Sequence, residues 1–143
     1  MEIEFHLGWF QTGRSAAKAF KQISAYELFS EYVRRISKFM PCRVMGTIRE
    51  EVGEKGAKLW VCDSGRDAVS LTSENLAARF EKLLDLIGGP DGFSEADIKR
   101  LRPDLKLSFG PLTLPHELAA VVAGEQIYRA LTIIHKMPYH LGH

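Results

Sequence analysis

The sequence predicts a single α/β domain over residues 1–143, with a mostly parallel sheet and helices on both of its faces. Three observations lead there. Short apolar runs alternate with stretches of three-to-four-residue apolar periodicity, so strands and helices alternate along the chain. Two of the runs, Leu84–Ile87 and Leu105–Phe109, lead directly into loops broken by glycine and proline and then into helical patterns. With 45% hydrophobic and 26% charged residues, the chain has the composition of a globular domain with one core. Parallel neighbours need long crossovers, and the intervening helices supply them.

In chain order, Ile3, Phe5 and Leu7 share one face of an opening strand, with Glu2, Glu4 and His6 on the other, so His6 is expected in solvent. From about Ser15 to Phe39, apolar residues recur every three or four positions (Ala16, Phe20, Ile23, Tyr26, Phe29, Val33, Ile36, Phe39), the pattern of a long amphipathic helix. Its polar face carries Lys18, Lys21, Arg34, Arg35 and Lys38. Such a cluster reads first as a solvated face and second as a nucleic-acid patch. Pro41 stops the helix, Cys42 to Ile48 reads as a second strand, and Arg49 to Lys58 as a charged surface loop. Leu59–Cys62 is a third strand ending in a turn, and Ser73-Glu74-Asn75 opens a helix that buries Leu76, Phe80, Leu83 and Leu84. That helix must end quickly, because the run leading to Gly88 follows without a linker.

Gly88-Gly89-Pro90-Asp91-Gly92 then precedes Ser94-Glu95-Ala96-Asp97, a capping signal for a further helix. Leu105, Leu107 and Phe109 alternate with Lys106 and Ser108, and the loop from Gly110 to Pro115 leads into an apolar helix from about His116 to His135. Loops at carboxyl strand ends are where open α/β sheets bind ligands, and glycines let backbone come close to one. Both loops also read as ordinary βα turns. The last helix is apolar nearly all round and needs burial on more than one side, which a symmetric dimer would supply. Its polar exceptions Glu125, Gln126, Tyr128 and Arg129 need partners in a dimer seam or a substrate to face.

A formal charge of +1 excludes a broad basic field of the kind carried by free nucleic-acid-binding modules, so any RNA contact must come from local patches or shape. Cys42 and Cys62 lack metal-site or disulfide spacing and read as reduced core residues. His135, His140 and His143 have no carboxylate or cysteine cluster beside them, so no metal is expected. The amino terminus is not a signal peptide and no apolar run has membrane-spanning length; a cytoplasmic protein is expected.

The ordered segments IGGPDGFS, LSFGPLTLPHEL, EQIYRALTI and PYH in the last sixty residues resemble the RlmH family, the SPOUT-superfamily methyltransferases that act on N3 of a pseudouridine in large-subunit ribosomal RNA. Phe29 to Arg35 before Met40-Pro41 extends the resemblance more loosely into the first half. The resemblance implies a carboxyl-terminal trefoil knot, a homodimer, S-adenosylmethionine as methyl donor, and the ribosome as partner. It places the cofactor at Cys62, Gly88 and Gly89, and the stretch Phe109, Gly110, Pro111, Leu112, Thr113 and Leu114. Glu125, Tyr139 and His140 become candidates for acid–base work at N3, and His116 and Arg129 for holding phosphate or a base edge. Cys62 stands where the family has leucine, Ala120 where it has arginine, and Leu141 where it has a basic residue; the segment between the second and third strands is short. Those departures support an alternative, a ribosome-binding or dimeric scaffold of the same fold without catalysis. A nucleotide-binding domain of other function would rest on the glycine loop alone, without either phosphate-binding glycine motif.

Overall fold

A computed structural model describes residues 3–7, 20–45, 58–62, 68–81, 85–88, 105–109 and 114–140. The strands are β1 (Ile3–His6), β2 (Cys42–Met45), β3 (Lys58–Cys62), β4 (Asp85–Gly88) and β5 (Leu105–Leu107). The helices are α1 (Ile23–Ile36), α2 (Ser73–Glu81) and α3 (His116–Ile134). All four strand pairings are parallel, in the order β2-β1-β4-β3-β5. His6, Gly88, Val61 and Lys106 lie in one row across four strands, so β3, β4 and β5 end within a residue or so of a common line. The chain steps from β3 back to β4 and then across β3 to β5. That reversal makes the carboxyl ends of β4 and β3 a topological switch point. Only residues 82–84 separate α2 from β4, the abrupt helix end expected from the sequence.

The core gathers Ile3, Phe5 and Leu7 of the first strand with Phe29 and Ile36 of α1, Leu76 and Phe80 of α2, and Ala120, Ile127 and Leu131 of α3. Phe29 is its aromatic centre: the Phe5 ring meets it edge-on at 5.4 Å and the Phe20 ring stacks on it at 5.6 Å. The two helices α1 and α3 run side by side in the same direction. Glu117 reaches Lys21 and Gln22 at one end, Tyr128 meets Tyr32 further along, and the His135 and Phe39 rings stack at 4.8 Å at the other end.

Two expectations change. The first helix begins at Ile23: Gln22 is extended, and Phe20 to Gln22 stand outside it. The reason lies 95 residues away, where the Glu117 carboxylate accepts hydrogen bonds from the backbone of Lys21 (2.6 Å) and Gln22 (3.0 Å) and fixes the chain entering the helix in an extended form. Its starting stretch before Phe20 lies outside the described residues, as do Gly46 to Ile48 of the second strand, Leu83 and Leu84, and the capping signal at Ser94. His6 is also not in solvent; it is 3% exposed. β1 is an inner strand of a parallel sheet, and such sheets are covered on both faces by the chain that crosses between their strands. The imidazole bonds Glu4 at 3.0 Å, and Arg43 holds the same carboxylate at 2.7 Å.

Thr72 caps α2 by accepting from the Asn75 backbone N–H at 3.1 Å, which leaves the Ser73 hydroxyl for another partner. α3 ends in a Lys136 held at φ 56°, with the Met137 N–H returned to the Thr132 carbonyl at 2.8 Å. This is a helix-ending turn whose left-handed position favours glycine. Lys136→Gly should therefore stabilise the fold by about 1 kcal/mol, read as an increased urea midpoint.

A Cβ added at Gly124 would sit 3.3 Å from the Tyr32 Cβ, a stiff part of that side chain. Gly124→Ala should change stability by less than about 0.5 kcal/mol, because the helix-propensity gain of about 1 kcal/mol offsets the crowding. Gly124→Leu has no such offset and should cost about 2–3 kcal/mol in the same measurement.

Candidate active site

The first half of the site is a line of strand ends. Cys62 closes β3 opposite Leu107, Gly88 closes β4 opposite Val61, and Phe109 follows β5 by two residues. The Ser108 N–H donates to the Val69 carbonyl at 2.9 Å, so the chain leaving β3 passes along the outer side of β5. Phe109 and Leu114 are half-buried. Gly89, Gly110, Pro111, Leu112 and Thr113 lie outside the described residues. Thus the chain segments expected to hold the cofactor are brought together as far as they are described: Cys62 and Gly88 close adjacent parallel strands, and Phe109 follows the next one.

The second half is a polar network on the far part of α3. Glu125 Oε1 accepts from Arg129 Nε at 2.9 Å and from the Tyr139 hydroxyl at 3.1 Å, while Gln126 Nε2 donates to Glu125 Oε2 at 2.7 Å. Arg129 NH1 also meets His140 Nδ1 at 3.0 Å, and His140 Nε2 meets Glu74 Oε1 at 2.8 Å. Because a guanidinium only donates, Nδ1 is the acceptor, and the ring proton sits on Nε2, facing Glu74. The Ser73 hydroxyl freed from capping donates to Gln126 Oε1 at 3.0 Å. One connected set of bonds therefore ties α2, α3 and the tail. The polar exceptions Glu125, Gln126 and Arg129 on α3 are thus partnered within their own chain.

Electrostatics sharpen the roles. The Glu125–Arg129 pair is 18% and 14% exposed, so each charge relies on the other. Burial works against the Arg129 cation, yet the Glu125 carboxylate raises its pKa further. Burial, the hydroxyl of Tyr32 and the charge of Glu125 hold the Tyr139 phenol well above its ordinary range. Tyr139 is thus held as a neutral phenol that donates to Glu125. The His140 contact lowers the exposed Glu74 carboxyl. Burial pushes the half-buried Cys42 thiol up to about 12, which leaves it protonated and unreactive.

Of the expected site residues, Glu125, Tyr139, His140 and Arg129 meet in this one network. His116 does not join them: it opens α3, thirteen residues and about 20 Å of helix axis before Arg129. Ala120 is 2% exposed and packs in the core, so in this chain that position serves packing. Glu74 and Ser73 were missed as site-building residues. Their partners lie 66 and 53 residues away, beyond any local pattern. Among the described residues there is no group of three or more His, Cys, Asp or Glu that could hold a metal, and no helix long and apolar enough to cross a membrane.

A parallel α/β sheet with a topological switch point, together with a polar network on the last helix, suits a group-transfer enzyme. The family described as "Predicted SPOUT methyltransferase" matches residues 47–140, which sets the chain among the SPOUT methyltransferases. Similar curated proteins narrow the class. The ribosomal RNA large subunit methyltransferase H of Stenotrophomonas maltophilia is 36% identical over 140 residues, covering 78% of this chain and 86% of that protein. The protein of the same name from Xylella fastidiosa strain M12 is 33% identical, covering 80% and 87%. That from Magnetococcus marinus is 42% identical over 100 residues, covering 64% and 61%. The chain belongs to this family of large-subunit ribosomal RNA methyltransferases.

The four tyrosines of the chain give a direct check on the network. Spectrophotometric titration to about pH 11 should ionise ordinary phenols and leave Tyr139 protonated. Tyr139→Phe should then leave the absorbance change over that range unaltered. A change smaller by one tyrosine would contradict the assignment.

Proposed function

We propose that this chain transfers a methyl group from S-adenosylmethionine to N3 of a pseudouridine in large-subunit ribosomal RNA. The observation that carries the reading is the convergence of Cys62, Gly88 and Phe109 at the ends of three adjacent parallel strands. Their chemistry fits the cofactor. Parallel strand ends leave main-chain donors and acceptors without ladder partners, and the half-buried Phe109 and Leu114 offer apolar surface for an adenine ring. Cys62, Gly88, Gly89 and the stretch from Phe109 through Gly110, Pro111, Leu112 and Thr113 to Leu114 would hold it. When bound, S-adenosylmethionine supplies a sulfonium-activated methyl group.

The chain's own work is then positioning and proton management. Glycine at position 88 lets backbone approach the ligand without a Cβ between them. Both oxygens of Glu125 are already engaged, so this carboxylate orients Arg129 and Tyr139 and does not act as the base. Arg129 and Tyr139 supply donors that favour negative charge developing on the imide as N3 loses its proton. His140, whose Nε2–H rests on the exposed Glu74 carboxylate, can donate that hydrogen to a carbonyl oxygen of the imide once its ring exchanges Glu74 for substrate, and N3 then releases its proton to solvent.

The working unit is a homodimer with its carboxyl-terminal chain threaded as a trefoil knot. Ile23 (74% exposed) and Leu118 (45% exposed) leave apolar surface at the same end of the α1–α3 pair, where a second copy gains most from burial. The 20 Å of helix between His116 and Arg129 also separates the loop entering α3 from the polar network, and a partner subunit's tail would close that gap.

Calorimetric titration tests the cofactor site. Wild-type protein should bind about one S-adenosylmethionine per chain, with no saturable heat from ATP or NAD. Gly88→Trp should lose that binding while sedimenting as the wild type does. Retained binding in Gly88→Trp removes the strand ends as the site, and ribosome association without any cofactor binding favours the scaffold alternative.

A further inference from the structure

We propose that the recess at the carboxyl end of α1 is a docking surface for the sugar–phosphate backbone of the ribosomal RNA, adjacent to the methyl-transfer network and separate from it. The inference rests on the reading of the chain as a ribosomal RNA methyltransferase. The recess measures about 470 Å³. Its rim is formed by Glu31, Arg34 and Arg35 of α1 and by Lys38 in the turn that follows, and its floor includes the rings of Phe39 and Tyr128.

The charges on that rim are arranged for an anion. Three cations against one carboxylate leave a local excess of two positive charges in a chain whose formal net charge is only +1. Glu31 offsets one of these charges and sets the geometry of the two arginines. Its Oε2 accepts from Arg34 Nε at 2.9 Å and its Oε1 from Arg35 Nε at 2.9 Å, and these contacts hold its own pKa at about 2. The Arg35 guanidinium is further fixed between two rings, 5.7 Å from the Tyr32 centroid and 5.4 Å from that of Tyr128. A guanidinium ordered in advance loses little freedom on meeting a phosphate. The Arg34 side chain is 61% exposed, and among the described residues Lys38 enters no ion pair. Arg34, in the last turn of α1, and Lys38, two residues past its end, line the same recess.

The floor argues for nucleic acid over a small anion. Aromatic faces beside arginines accept riboses and bases without regard to sequence, as single-strand binding grooves do. The Phe39 ring of that floor is itself stacked on His135 at 4.8 Å. The recess also abuts the polar network: the Tyr128 ring that lines it meets the Tyr139 ring edge-on at 4.8 Å, and Tyr139 donates to Glu125. A strand held on the rim is therefore led toward the tail residues. This division of labour resolves the mismatch between a nearly neutral chain and an RNA substrate, because the positive charge is concentrated where the backbone runs.

The test is co-sedimentation of the full-length protein with purified 70S ribosomes over a series of salt concentrations. The wild type is compared with Arg34→Gln/Lys38→Gln and with Arg34→Lys/Lys38→Arg, with S-adenosylmethionine calorimetry on each. Both positions are exposed, so the substitutions leave the core intact. The Gln pair should weaken ribosome binding about tenfold and flatten the slope of log affinity against log salt by roughly 1–2, as expected for one or two lost phosphate contacts. The charge-conserving pair should bind within about threefold of wild type, and cofactor affinity should be unchanged in all three. An unaltered slope in the Gln pair overturns the docking surface while leaving the enzyme reading intact. Wild-type protein that fails to sediment with ribosomes overturns the enzyme reading itself. A loss on ribosomes with undiminished binding to protein-free 23S RNA assigns the recess to an acidic ribosomal protein and also overturns the proposal.

Discussion

The close packing of α3 along α1 is the constraint on which the rest depends. Glycine at position 124 allows the two backbones to approach until an added methyl would meet the Tyr32 Cβ at 3.3 Å. Glu117 locks the starting ends together through two backbone N–H groups. Nothing in a parallel sheet of short strands, three to five residues each, would hold two helices in this register by itself. Hydrophobic burial around Phe29 supplies the driving force, and the Glu117 clamp and Gly124 select the geometry. Because the helices run in the same direction, their far ends also meet, and the acid–base candidates Glu125, Tyr139 and His140 stand there with Arg129, while His116 lies at the opposite end of α3.

That far end illustrates how a polar set can survive on an apolar helix. Glu125 and Arg129 are mostly buried and would be costly alone. Tyr139, Gln126 and His140 fill their remaining hydrogen-bonding positions, and Ser73 and Glu74 complete the shell from α2. The tail is thereby ordered by the same groups it is expected to help in catalysis. A structure in which Tyr139 and His140 depended on a bound substrate for their placement would have no such network.

Much of this was legible in the sequence because it is periodic. The period-two pattern of Ile3, Phe5 and Leu7 placed β1, and the apolar run before Gly88 placed β4, both in the expected positions. Strand alternation with helices was enough to expect parallel pairing, and the described pairings are parallel throughout. The start of α1 was misread because apolar periodicity continues through Phe20, while a carboxylate far along the chain holds Lys21 and Gln22 out of the helix. His6 was misread because alternation reports a face and not whether that face is covered. The members of the polar network were individually conspicuous as interruptions of an apolar helix, but their mutual partnership, and the share taken by Glu74 and Ser73, is a tertiary fact with no local signature.

The central claim is chemical: this fold places a methyl donor against an imide nitrogen of ribosomal RNA. The most direct measurement is transfer of labelled methyl from S-adenosylmethionine to 70S ribosomes that lack the modification, followed by mass spectrometry of the labelled nucleoside. The account predicts N3-methylated pseudouridine from the large-subunit RNA. Label on another nucleoside, or none despite cofactor and ribosome binding, would contradict it.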